Sequence, residues 1–291
     1  MNYKDITAVI VTFKSEKIIF KCLKSIKGIN KIIIVDNSND YNLKKKILSK
    51  FPNINFILSK KNLGYGNGNN LALKKVKTKY ALILNPDTIL LDNCIYYLKL
   101  LAKKLKNNFS IIAPSVQGEE KNYGFFDLKK KTKTKRNFYN KSNFEVDYVK
   151  GFAMFFNLEK IKKLKYFDEN FFMYLEEIDL CKKLNKADEK IYISTKAKVK
   201  HFGEKSSNLG FDFEINRNWH WMWSKTYYSS KHDGYFLTRI FAIPVIFKLI
   251  LKCVLNIFFL RKNFFLINFY RLGGLLSAYF NIKSFYRIKL L

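Results

Sequence analysis

"ITAVIVTFKSEKIIFKCLKSIKGINKIIIVDN" occupies residues 6–37, and its reading decides the fold. It opens on an apolar run, "ITAVIVTF" (6–13). A helical pattern follows from about Glu16 to Ile26, and a second apolar run, "KIIIVDN" (31–37), closes the stretch. Short apolar runs of this kind are strands buried on both faces, and a helix between two of them is the crossover of a β-α-β unit. The alternation continues with a helix near 42–50, "INFIL" (54–58), a helix near 67–77, "YALIL" (80–84), a helix at 92–106 and "SIIAP" (110–114). The expectation is an α/β fold with a Rossmann-like, mostly parallel sheet flanked by helices. Ligands of such sheets bind at the carboxyl ends of the strands. Asp36 and Asp87 both lie just past strand ends.

The pattern breaks at 117–147, which is polar, basic and aperiodic and reads as a long variable loop. Regular structure returns with "YVKGFAMFFN" (148–157), a strand-like run with Gly151 near its start. After Asp233 there is no acidic residue. Arg239, Lys248, Lys252, Arg261, Lys262, Arg271, Lys283, Arg287 and Lys289 stand there in an apolar, aromatic background. No uncharged apolar run reaches the ~18 residues of a membrane span. Blocks such as "IFAIPVIF" and "NIFFL", punctuated by cations, read as helices lying in a membrane interface. The plainer alternative is a pair of helices packed on the sheet with lysines snorkelling outward. The expected division is a catalytic domain at 1–215 and a C-terminal helical, basic-apolar appendage at 216–291.

The chain of 291 residues holds 54 Lys and Arg against 23 Asp and Glu, a formal charge of +31. That excess points to an anionic partner: nucleic acid, nucleotide phosphates or an anionic membrane face. Solvated surface lysine is an equally good reading of any single cluster. The four cysteines (Cys22, Cys94, Cys181, Cys253) form no CxxC pair. This argues against a zinc site or disulfide framework and fits a reducing compartment. "MNYKDITAVIVTF" has no long apolar stretch behind a basic start, so a cytoplasmic catalytic part is expected.

Against the basic background, "FDENFFMYLEEIDLC" (167–181) concentrates Asp168, Glu169, Glu176, Glu177 and Asp179. "VDNSND" (35–40) sets Asp36 after a strand, where it can accept hydrogen bonds from a base or ribose. "NLGYGNGNN" (62–70) reads as a Gly/Asn loop leading into a helix; glycines permit close backbone approach, and a helix start offers N–H groups to an anion. Its Gly64-x-Gly66-x-Gly68 spacing is not the GxGxxG of a dinucleotide fold, and it starts too far beyond its strand. "LNPDT" (84–88) uses Pro86 to keep Asn85 extended and projects Asp87, a suitable carboxylate ligand for Mg²⁺ or Mn²⁺ on a diphosphate. "VKHFGEKSS" (199–207) supplies His201 at the end of a short strand.

In this order the motifs resemble those of the family 2 glycosyltransferases of the GT-A fold, in the rhamnosyltransferase-like branch of cell-surface polysaccharide synthesis. The resemblance runs from "VIVTF" (9–13) to "HFGEKSS", about 200 residues; "LNPDT" with "FDENFFMYLEEIDLC" is its most specific part. It implies that Thr12 and Asp36 hold the nucleotide. Asn62, Gly64 and Asn70 match positions of the loop that closes over the sugar nucleotide. Asn85 stands where relatives carry the first Asp of a DxD motif. Asp87 matches the metal-binding Asp, and His201 a second metal ligand. Glu177 matches the base, although relatives usually have Asp there; Glu176 and Asp179 orient neighbours or cap the helix.

The implied activity is an inverting, metal-dependent transfer of a sugar from a nucleoside diphosphate to a hydroxyl of a lipid-linked glycan. The enzyme would lie peripherally on the inner face of the cell membrane, with an anionic bilayer and no nucleic acid as partner. The resemblance favours dTDP-rhamnose, with UDP- and GDP-sugars open. Two alternatives remain: a degenerate nucleotide-sugar binder disabled by the Glu-Glu change, and a non-enzymatic basic protein binding anionic lipid or nucleic acid.

Overall fold

The computed structural model of the protein describes residues 3–118, 121–126, 143–203 and 210–287. The chain divides into two compact units. The first takes Met1–Leu63, Asn67–Asp168 and Glu177–Ser207; the second takes Gly64–Gly66, Glu169–Glu176 and Asn208–Leu291.

In chain order the first unit begins β1 (Ile6–Thr12), α1 (Glu16–Ser25), β2 (Lys31–Asp36), α2 (Tyr41–Lys50), β3 (Asn55–Leu58), α3 (Gly64–Leu73) and β4 (Tyr80–Leu84). There follow β5 (Thr88–Leu90), α4 (Cys94–Lys104), β6 (Ile111–Val116), β7 (Tyr123–Gly124), β8 (Asn143–Val146) and β9 (Tyr148–Val149). It closes with β10 (Ala153–Asn157), α5 (Leu158–Lys163), α6 (Glu176–Lys186) and β11 (Ile191–His201). The first residues of α3, and the first of α6, belong to the second unit.

The opening β-α-β reading holds. Every residue of β1 and β4 is buried, as expected of strands covered on both faces. Helix α1 buries Ile19, Cys22 and Leu23 as one stripe onto that sheet. Helix α2 starts where Asp40 accepts a hydrogen bond from the Leu43 N–H at 2.9 Å, a side-chain N-cap.

The strand order is β3-β2-β1-β4-β10-β6-β11-β5, with β8 also on β11. β1 pairs in parallel with both β2 and β4, so the chain leaves β1 in both directions across the sheet. The crevice outside the carboxyl ends of these strands is the position where α/β sheets bind ligands.

The structure departs from the sequence reading at four places. The sheet is mixed: β10 runs antiparallel between β4 and β6. That excursion is not all loop. Its ends form β7, paired with β9, and β8, paired with β11; residues 119–120 and 127–142 lie outside the described residues. The run 148–157 is two strands separated by Lys150–Phe152. The Gly/Asn stretch is helix from Gly64, not loop. Gly68 permits this, since a Cβ there would stand 2.8 Å from Val11 Cγ1.

The second unit is built from α7 (Gly210–His232), α8 (Tyr235–Phe258) and α9 (Lys262–Tyr279). Helix α7 runs through the 215/216 boundary expected from sequence. Trp219 and Trp223 of α7, Phe171 and Ala278 form its buried cluster. Helix α9 meets α7 at Gly274, where a Cβ would sit 2.1 Å from the Trp219 carbonyl oxygen. That neighbour is backbone and cannot rotate away. Gly274→Ala is therefore expected to destabilise this unit by about 1–3 kcal/mol, read as a lowered thermal midpoint.

Residues 281–287 lie along α7. Trp223 Nε1 donates to the Ile282 carbonyl at 2.9 Å, and His220 Nε2 is 2.8 Å from the Tyr286 carbonyl. His220 Nδ1 lies 3.2 Å from Ser284 Oγ. Burial pushes the His220 imidazole down to about 3, against a partial rise from the Tyr286 carbonyl. The folded value is below the unfolded one, so the stability His220 carries is present above about pH 6.5 and is lost as pH falls toward 3. We expect the unfolding free energy to fall across this window by up to about 1.4 kcal/mol per pH unit, read as a falling thermal midpoint with a shallower slope in His220→Gln.

The apolar region after Asp233, read from sequence as short blocks, forms two helices, and the blocks from Tyr235 to Phe258 join in one, α8. Among the described residues, α8 is the one helix long and apolar enough to cross a membrane, by length and composition. Lys248 and Lys252 break the sequence run but not the helix.

Candidate active site

Thr12 ends β1 and Asp36 ends β2, and the two are register partners. Both are buried. The Thr12 hydroxyl has no hydrogen-bond partner among the described residues. Asp36 Oδ1 accepts from Ser38 Oγ at 2.6 Å, and Oδ2 accepts from the Asp40 N–H at 2.7 Å. Burial raises the Asp36 carboxyl above its ordinary value, and the hydrogen bonds from Asp40 and Ser38 hold it partly down. Asp36 thus shapes the 37–40 turn as well as facing the strand ends. Asn37 Oδ1 accepts from the Leu63 N–H at 3.3 Å, which brings the Asn62–Leu63 segment beside these ends. Asn62 is half-buried.

Asn70 stands apart from that group. Its Nδ2 donates to the Phe167 carbonyl at 2.9 Å and its Oδ1 accepts the Phe167 N–H at 3.1 Å. Both ends of the carboxamide are spent on one backbone residue, so Asn70 ties α3 to the start of "FDENFF".

The Asn85-Pro86-Asp87 stretch leaves β4, and β5 follows at once. β5 pairs antiparallel with the end of β11, which sets His201 opposite Thr88. The Phe202 N–H donates to the Asp87 carbonyl at 3.1 Å. This pairing brings His201 Nε2 to 3.5 Å from Asp87 Oδ1. Asp87 is buried, and its Oδ1 accepts no hydrogen bond among the described residues. A buried carboxylate oxygen without a donor is costly unless something positive faces it. An oxygen and an imidazole nitrogen so placed fit a divalent cation. Among the described residues no group of three or more His, Cys, Asp or Glu could hold a metal, so further ligands would come from a bound diphosphate and water. The "EKSS" of the His201 motif lies outside the described residues.

Glu177 sits in the first turn of α6. Its carboxylate accepts from its own N–H, from that of Ile178 and from that of Gly151, with Lys150 nearby. Burial is the larger effect and raises its carboxyl above the ordinary glutamate value; these donors and Lys150 oppose it. Asp179 is buried one residue pair further, with Lys183 Nζ 3.9 Å from its Oδ2.

Sequence reasoning missed the piece that joins these groups: the turn Lys150-Gly151-Phe152. Gly151 donates to Glu177. The Phe152 carbonyl accepts from the Asn85 N–H at 2.9 Å and from Thr88 Oγ1 at 3.3 Å. The Phe152 ring stacks on His201, with centroids 4.1 Å apart and planes 12° from parallel. One dipeptide therefore positions the Glu177 carboxylate on one side and the Asp87–His201 pair on the other. Gly151 at a strand edge was the available signal.

Gly64 and Glu176 belong to the second unit. Gly64 has φ +80°, and a Cβ would meet the Phe172 carbonyl oxygen at 2.0 Å, so a side chain is barred there on both counts. Glu176 is buried. The residues before it, Tyr174 (φ 72°) and Leu175 (φ 67°), are both left-handed, a costly conformation for L-residues. Arg217 Nε donates to Tyr174 Oη at 2.6 Å and Ser224 Oγ to the Met173 carbonyl at 2.7 Å, which holds this turn against α7.

The chain belongs to glycosyl transferase family 2, whose profile matches residues 7–162. It is 28% identical over 192 residues to the low-salt glycan biosynthesis hexosyltransferase Agl10 of Haloferax volcanii, covering 61% of this chain and 60% of that protein. It is 29% identical over 212 residues to rhamnosyltransferase WbbL of Escherichia coli, covering 63% and 78%. Among solved structures it is similar to mannosyltransferase PcManGT of Pyrobaculum calidifontis in complex with GDP-Man and Mn²⁺, at TM-score 0.57 and 12% identity, over 96% of this chain and 88% of that one. It is also similar to GalNAc-T7 with UDP, GalNAc and Mn²⁺, at TM-score 0.57 and 13% identity, over 77% and 51%. The fold is therefore the GT-A type expected from the motifs.

Proposed function

We propose that this protein is an inverting glycosyltransferase that moves a sugar from a nucleoside diphosphate to a hydroxyl of a lipid-linked glycan, in cell-surface polysaccharide synthesis. The observation that carries the proposal is the buried Asp87 oxygen, without a hydrogen bond among the described residues and 3.5 Å from His201 Nε2, at the carboxyl edge of the sheet. Family membership and the names of Agl10 and WbbL support a sugar-transfer role.

The chain's own residues would divide the work as follows. Thr12 and Asp36, at the ends of β1 and β2, hold the nucleoside, the buried Thr12 hydroxyl having no hydrogen-bond partner among the described residues. Asp87 and His201 would hold Mg²⁺ or Mn²⁺, which supplies Lewis-acid stabilisation of charge on the leaving diphosphate. Glu177, kept in place by Gly151 and the helix start, accepts the proton of the attacking hydroxyl. Attack from the face opposite the diphosphate makes the new C–O bond as the old one breaks, and a single displacement inverts the anomeric centre. A binding protein for nucleic acid needs no carboxylate of this kind at a strand end.

The test is a thermal-shift screen of the purified chain against a panel of nucleotide sugars, with Mg²⁺ or Mn²⁺. A rise in midpoint with one nucleotide class, at least about 2.7 kcal/mol of stabilisation at a hundredfold excess over Kd, is the expected result. No shift with any of them, alongside binding to random oligonucleotides, would overturn the reading. Binding without product in a transfer assay would identify a degenerate enzyme.

A further inference from the structure

The second unit carries a surface that the transfer reaction does not use. Among the described residues, 21 of the 25 exposed large hydrophobic side chains lie between Tyr235 and Phe285. Helix α8 buries only Thr238, Ala242, Leu249 and Cys253. On its other side Ile243, Phe247, Ile250, Val254 and Phe258 recur at helical spacing, each between 44% and 78% exposed. Phe259 and Leu260 continue this stripe into the turn before α9, Leu260 being 91% exposed. A contiguous apolar surface of this extent is a contact surface in a soluble molecule.

The charges around the stripe say what it contacts. Lys248 and Lys252 step along one line of α8 with Asn256, and Arg261 and Lys262 cap the tip. No carboxylate follows Asp233 anywhere in the sequence. A second copy of the chain would bring the same unpaired cations against one another, since a two-fold interface sets each patch on itself. An anionic bilayer instead supplies the missing negative charge and an apolar phase together.

We infer that the α8–α9 hairpin is a docking surface for an anionic lipid bilayer. The stripe from Ile243 to Leu260 enters the headgroup–acyl boundary, and Lys248, Lys252, Arg261 and Lys262 lie on the headgroups. The helix lies along the interface. Crossing would place Lys248 and Lys252 within the hydrocarbon, where charge is expensive. This inference stands independently of the transferase reading.

Flotation of the full chain with vesicles tests it. Binding is expected with phosphatidylcholine mixed with phosphatidylglycerol, and at least about tenfold weaker binding with phosphatidylcholine alone. The variant Phe247→Glu, Phe258→Glu, at two exposed positions, should lose at least about tenfold in affinity with folding intact by circular dichroism. Lys248→Gln with Lys252→Gln should lose about fivefold per lysine, and salt should weaken binding of the parent. Three results would each overturn the inference. One is a folded chain that ignores both vesicle types. Another is equal binding to both types with no effect of the lysine variant. The third is a soluble dimer that Phe247→Glu, Phe258→Glu converts to monomer without any vesicle binding. Failure to bind nucleotide sugars would leave all of these readouts unchanged.

Discussion

Replacing Glu177 by Gln is expected to lower turnover by about 10²–10⁴-fold while nucleotide-sugar binding persists. The amide keeps the size of the side chain and can still accept from Gly151 and the helix start, so the fold has no reason to change. What it loses is the ability to take a proton. A merely structural role for Glu177, as a cap of α6, predicts a different outcome: a lowered melting temperature and near-normal turnover in the surviving protein. The pH profile separates the two further. Burial raises the Glu177 carboxyl, and a base must be ionised to act. Activity should therefore rise with pH through that raised value, with the acid limb of kcat/KM above the range of an ordinary glutamate, and the limb should vanish in Glu177→Gln. Glu177→Asp, which restores the side chain usual in relatives, asks whether the site tolerates the shorter reach. The Gly151 donor is fixed by the backbone, so a shorter carboxylate must give up either that hydrogen bond or its place near the acceptor. Activity is expected to fall in that variant but to persist.

The second large effect is expected at Asp87. Asp87→Ala should abolish stimulation by Mg²⁺ or Mn²⁺ and lower turnover by about 10³-fold. Titration calorimetry with Mn²⁺ and a nucleoside diphosphate reads the metal directly, without any transfer assay. Loss of coupled binding is the expected result; an enzyme indifferent to chelator, with calorimetry unchanged in the variant, would contradict the assignment. His201→Phe makes a matched control. Phenylalanine preserves the stack on Phe152 but has no Nε2, so weakened metal binding with normal stability would assign the nitrogen and not the ring.

The parts of the site that sequence displayed were those carried by local chemistry. Asp36 and Asp87 follow strands, and a strand end is legible from an apolar run that stops. His201 also ends a strand-like run, and its role as a metal ligand came only from the resemblance. The turn Lys150-Gly151-Phe152 was not legible as a site element. Its part is played by a carbonyl, an N–H and a ring face, and none of these has a sequence signature. Asn70 shows the converse case. Its residue type suggests a ligand contact, yet its carboxamide closes on the Phe167 backbone, a pairing 97 positions apart that no local pattern announces. The Gly/Asn stretch misled in a similar way. Poor helix formers read as loop, but a Cβ at position 68 would crowd Val11, so glycine fits the helix there, and tertiary packing overrides weak propensity.

The sequence by itself determined the β-α-β class of the fold, the identity of the carboxylates and the acid-free, apolar character of residues 235–291. These follow from hydrophobic period and residue chemistry, which act within a few positions. Only the tertiary structure decided which groups meet. The antiparallel return of β10 and the pairing of β5 with β11 set His201 beside Asp87 and Glu177 against Gly151. It also decided that residues 235–258 form one helix with most of its circumference uncovered. Pairings of this kind are contacts between segments distant in the chain, selected by burial and hydrogen-bond satisfaction over the whole sheet and bundle, and no single stretch of sequence encodes them.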